Sequence, residues 1–68
     1  MAKEKMTYKD VDYKLKYIGP DKPDIKHGRV YRCIREWYGE DGKLDSYRVI
    51  DETGEGYIYF PKNFEKAE

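Results

Sequence analysis

Side chains with reactive chemistry are scarce in this chain. His27 is the only imidazole and Cys33 the only thiol among 68 residues. Proton transfer through His27 would need a nucleophile beside it, and the available ones are Cys33, Ser46, Thr7 and Thr53. None of them stands in a local signature of a nucleophile and its base. His27 follows Lys26 and precedes Gly28 in a polar stretch, which reads as solvated surface. Zinc needs about four thiolate or imidazole ligands, more than one Cys and one His supply. Glu40, Asp41 and Asp45 lack the alternating Asp-x-Asp-x-Asp-Gly spacing of a calcium loop. The Gly42-Lys43 step has neither a long phosphate-cradling loop before it nor Ser or Thr after it. Pro20-Asp21-Lys22-Pro23 has the Pro-x-x-Pro form but reads as a stiff connection. The expectation is a protein without catalytic residues, metal ligands or cofactor.

Aromatic content is the feature that rises above background. Eight Tyr, two Phe and one Trp stand against twelve Leu, Ile, Val and Phe in total. Large rings bury roughly 150–250 Å² each and can replace missing aliphatics. A domain of this size buries only about 60% of its unfolded surface, so it cannot hide eleven rings. Trp37, Tyr38, Tyr47, Tyr57 and Tyr59 are the candidates for an exposed recognition patch, because aromatics concentrate at interface centres. The competing reading is that tyrosines fill the core and let their hydroxyls reach water.

Charge narrows the choice of partner. Fourteen basic and fourteen acidic residues cancel, which argues against a protein that coats nucleic acid through a basic face. The tilt along the chain is mild: residues 1–28 carry seven basic and five acidic groups, residues 49–68 two and five. Arg29, Arg32, Arg35 and Arg48 fall on adjacent predicted strands, which leaves single-stranded nucleic acid as an alternative partner. The longest apolar run, Tyr57-Ile58-Tyr59-Phe60, is far short of the ~20 residues of a membrane span. The first residues lack the hydrophobic segment of a secretory signal. One Cys forms no internal disulfide, so cytoplasmic residence is expected.

These side chains must be positioned by short strands. Residues 1–12 are polar and aperiodic, and they read as a mobile tail with a conceivable helical turn over Met6–Val11. Tyr13, Leu15 and Tyr17 alternate with Lys14 and Lys16, the pattern of a half-buried strand that opens a domain over 13–68. Gly19 to Gly28 is a loop with Ile25 as its inward anchor. Apolar pairs at 30–31, 33–34 and 37–38 break strict alternation, and β-branched and aromatic content favours a strand with a bulge near Arg32 or Arg35. Asp41-Gly42 supplies a hairpin turn, and Ser46–Asp51 and Tyr57–Phe60 are strands about the Thr53–Gly56 turn. Pro61 stops the ladder, a single 3₁₀ turn follows, and Phe64 caps the core ahead of a short last strand. Five short strands with tight turns make a small closed or half-closed antiparallel barrel.

The stretch Tyr47 to Glu65, with its Thr-Gly turn, aromatic strand, Pro and 3₁₀ turn, resembles the C-terminal half of SH3-like barrels. Tyr17-Ile18-Gly19, Gly28-Arg29-Val30-Tyr31 and Tyr47-Arg48-Val49-Ile50-Asp51 are similar to short SH3-like proteins of Gram-positive bacteria and their mobile elements. The resemblance covers about Tyr13 to Glu65 and implies a five-stranded barrel. Eukaryotic-type SH3 domains take proline-rich peptides in an aromatic groove. Pro61, Asn63 and Phe64 match the groove's Pro-x-Asn-Tyr element, whereas Ser46 stands where its central Trp is expected. The expected function is a binding module for a protein or peptide, as a monomer or weak homodimer, with a self-associating structural protein as a further alternative.

Overall fold

A computed structural model describes residues 6–67. Strands β1 (Thr7–Tyr17), β2 (Val30–Tyr38), β3 (Leu44–Ile50), β4 (Gly56–Tyr59) and β5 (Phe64–Lys66) form one antiparallel sheet in the order β4-β3-β2-β1-β5. A one-turn 3₁₀ helix at Pro61–Asn63 leads into β5. The described residues contain no α-helix. The sheet is not closed, and β4 and β5 are its two edges.

Strand β1 begins at Thr7 and not at Tyr13, so residues 7–12, expected in a tail or helical turn, belong to the sheet. Residues 1–5, also assigned to that tail, lie outside the described residues. Tyr8 pairs with Trp37 and Asp10 with Arg35. Partners on β2 therefore hold this segment in place, although its inward positions Thr7 and Lys9 are polar and leave no hydrophobic alternation to read. The register slips between Asp10 and Tyr13 against β2, and between Cys33 and Arg35 against β3. The second slip is the bulge that the apolar pairs demand. It turns Ile34 and Arg35 toward the same side and strengthens the local twist.

The core lies on one face of the sheet. Leu15, Ile25, Cys33 and Val49 are fully buried, and Tyr17, Tyr31, Tyr47 and Phe64 nearly so. Val11, Tyr13 and Tyr59 pack against them. Phe64 is the centre of the ring contacts, 5.3 Å from Tyr17, 6.2 Å from Tyr47 and 5.9 Å from Tyr59 between centroids. Inclined and edge-on ring pairs of this kind add to plain area burial. Two of the buried phenols have partnered hydroxyls: Tyr17 donates to the Pro20 carbonyl at 2.7 Å and Tyr31 to Glu52 at 2.6 Å.

Ile25 enters the core from the long loop, as its lone apolar character suggests. Backbone bonds between Lys22 and Ile25, from Gly28 to Tyr17 and from Ile18 to Asn63 fasten that loop to the sheet and the 3₁₀ turn. Pro20 and Pro23 are exposed on it. Gly42 and Gly54 take φ of +81° and +85° in the two hairpin turns, a backbone region that disfavours side chains.

Candidate binding face

Cross-strand partners share a face of a sheet, so the register sorts the aromatic side chains. Tyr13–Cys33–Val49 lies on the core face, and Glu36–Tyr47–Tyr59 continues it. The opposite face carries Tyr8–Trp37–Ser46 in one row and Asp10–Arg35–Arg48–Ile58 in the next. Phe60 follows Tyr59 in extended backbone, which sends its ring to this second face.

The five rings expected in one patch are divided by this arrangement. Tyr47 is part of the core, Tyr59 packs against it, and half-buried Tyr38 turns to the core side to meet Glu36. Tyr57 is exposed at the β4 edge, with its hydroxyl 3.3 Å from Glu55. Trp37 alone lies on the second face. Of the groove-like element, Pro61 and Asn63 are half-buried in the 3₁₀ turn, where the Asn63 carbonyl accepts from Ile18. Phe64 is buried, because the core poor in aliphatics claims that ring.

Sequence reasoning missed Tyr8, Ile58 and Phe60. Tyr8 is 54% exposed and stacks at 5.0 Å on Trp37, tilted by 56°. The Arg35 guanidinium lies 4.1 Å above the Tyr8 ring and 5.7 Å from the Trp37 ring, a cation beside the paired rings with Tyr8 as its nearer π partner. Asp10 fixes it from the side at 2.9 Å. The Trp37 indole N–H is enclosed in this stack without an acceptor among the described residues. Ile58 and Phe60, 52% and 63% exposed, extend apolar surface toward the β4 edge. The signal was parity: if Tyr59 faces inward, the residues on either side of it face out.

Two of the arginines on this face are paired with carboxylates. Arg32 meets Asp12 at 2.8 Å and Arg35 meets Asp10, while Arg29 meets Glu52 at 3.0 Å beside the loop. Hydrogen bonding and attraction from Arg32 lower the Asp12 carboxyl below its usual range. Arg48 has no carboxylate partner among the described residues, and its side chain lies across Gly56.

Two acidic groups anchor the core side. Burial works to raise Glu36, but hydrogen bonds from Tyr13 and Tyr38 outweigh it and hold the carboxyl below its usual value. Burial likewise opposes ionised Asp51, yet bonds from Thr53 and Tyr59 hold its carboxyl low. The Glu36 bonds join β1 to β2, and the Asp51 bonds join the turn after β3 to β4.

His27 Nδ1 rests 2.9 Å from the Gly19 carbonyl in the loop, and Cys33 is buried mid-sheet with its thiol pushed up by burial. The described residues contain no cluster of three or more His, Cys, Asp or Glu able to hold a metal ion. None of their helices is long and apolar enough to cross a membrane. An open depression of about 560 Å³ is lined by Met6, Gly39, Glu40, Asp41 and Asp45, and by none of Tyr8, Arg35 and Trp37. No family model matches the chain, and neither a curated protein nor a solved structure matches it.

Proposed function

We propose that the chain is a non-enzymatic binding module that takes a protein or peptide on the sheet face carrying Tyr8, Arg35 and Trp37. One observation carries this reading: exposed Tyr8 packs on Trp37 and carries the Arg35 guanidinium over its ring, on the sheet face opposite the core. Trp, Tyr and Arg are the residues in which interface energy concentrates. Asp10 already orients the guanidinium, which lowers the entropy cost of presenting it to a ligand.

The strand order β5-β1-β2-β3-β4, with a 3₁₀ turn before β5, supports placing the fold with the SH3-like barrels. Function then lies on the outer sheet face and not in the groove used by eukaryotic-type SH3 domains. Cytoplasmic residence in a bacterium belongs to the same proposal. Pairing of Arg29, Arg32 and Arg35 with carboxylates favours a polypeptide partner over single-stranded nucleic acid, since it occupies three of the four arginines that phosphates would use.

A library of synthetic peptides, screened by Trp37 fluorescence, tests the reading. A selected peptide should lose about tenfold or more in affinity against Tyr8→Ala and Trp37→Ala, the loss expected of interface anchors. Unchanged affinity in both folded variants sinks it. Quenching by oligothymidylate with a steep salt dependence would transfer the face to nucleic acid.

A further inference from the structure

The two edges of the sheet are not defended alike. Strand β5 is three residues long and carries Glu65 and Lys66, exposed charges that discourage edge pairing. Strand β4 reads Gly-Tyr-Ile-Tyr, with no charge, no proline and an unbroken register against β3. Exposed Tyr57 and Ile58 lie on it, and exposed Phe60 follows immediately.

Its backbone polarity can be worked out. Asp51 N–H donates to the Glu55 carbonyl, and residues on an antiparallel strand alternate in the direction of their polar groups. Glu55, Tyr57 and Tyr59 therefore turn their N–H and C=O groups toward β3. Gly56, Ile58 and Phe60 turn theirs to the open edge, and of these the Phe60 carbonyl already accepts from Asn63.

The geometry points to a second copy of this chain as the occupant of that edge, with β4 paired antiparallel to β4 about a two-fold axis through Ile58. In this register each Ile58 faces its counterpart as a hydrogen-bonded pair, and Tyr57 lies opposite Tyr59 of the other copy. Gly56 lies opposite Phe60, an arrangement in which an aromatic ring covers the backbone that a glycine leaves bare. Arg48 already lies across Gly56, so the arriving Phe60 ring meets a guanidinium without a carboxylate partner. Glu55 comes beside the turn carrying Lys62 of the other copy, and opposite charges meet at both ends. The edge is thus complementary to itself in backbone polarity, side-chain size and charge. A net charge of zero adds no long-range repulsion between copies. The small area predicts a weak, concentration-dependent dimer.

Sedimentation of the purified chain up to millimolar concentration tests this. The parent should shift from monomer to dimer, and Ile58→Lys, which sets like charges face to face on an exposed position, should weaken association about tenfold or more. Trp37→Ala should dimerise as the parent does, which separates this edge from the aromatic face. With oxidised glutathione as oxidant, Ile58→Cys should cross-link to its counterpart, whereas Tyr57→Cys should not. Circular dichroism confirms that each variant is folded. A chain monomeric at every concentration, or Ile58→Lys associating like the parent, overturns the proposal. So does a monomeric chain that instead accepts an unrelated extended peptide along β4.

Discussion

Tyr13 on β1 donates its phenolic hydrogen to Glu36 on β2, which joins residues 23 positions apart across the rim of the core. Tyr38 serves the other carboxylate oxygen. Tyr13→Phe leaves one oxygen of a half-buried carboxylate without its donor, an omission that costs about 1–3 kcal/mol. Urea unfolding should show that loss. Tyr38→Phe should cost less, because Tyr38 is the less buried phenol.

Stability should depend on pH at both ends of the scale. The Glu36 and Asp51 carboxyls are held below their usual 4.5 and 3.8 when folded. Their contribution is present above those values and is lost as acid protonates them, so stability falls below about pH 4.5. Burial chiefly, with bonding to Glu36 and Asp51, raises the phenols of Tyr13 and Tyr59 above the usual 10.0. Their contribution is present below pH 10 and is lost above it. Thermal melts across pH should trace a plateau with two falling shoulders, and Glu36→Gln should flatten the acid one.

Cys33 is fully buried, and burial raises its thiol pKa, which disfavours the reactive thiolate. An aromatic disulfide reagent should leave it untouched in native buffer and label it fully in urea. Rapid native labelling would contradict the packing of the sheet centre.

Two glycines should respond differently to alanine. A Cβ at Gly19 would come 2.7–2.8 Å from the ring end of buried Tyr17 and 3.0 Å from Asn63, so Gly19→Ala should destabilise by about 1–3 kcal/mol. A Cβ at Gly56 would meet the guanidinium end of Arg48 at 2.7 Å, and that flexible side chain can swing away. Gly56→Ala should be close to neutral in monomer stability. Paired denaturation curves decide the contrast.

Strand content, both hairpin turns, the bulge near Arg35, the anchor Ile25 and the buried Phe64 were legible in the sequence, because each follows from local alternation, turn chemistry or an isolated apolar residue. The start of β1 was not. Thr7 and Lys9 carry no hydrophobic signal, and only the pairing of Tyr8 with Trp37 and Asp10 with Arg35 defines them as strand. The candidate face was half legible. Trp37 stands out by type, but Tyr8, Ile58 and Phe60 depend on which phase of alternation the core adopts, and eight similar tyrosines do not reveal it.

Strand β1 is bordered by β2 on one side and by β5 on the other. Its second border is made by residues about fifty positions downstream, with Tyr17 opposite Phe64. The core is therefore complete only when the two ends of the described chain have met. Folding should accordingly be limited by this long-range closure rather than by the local hairpins, because distant contacts cost loop entropy before they reward it.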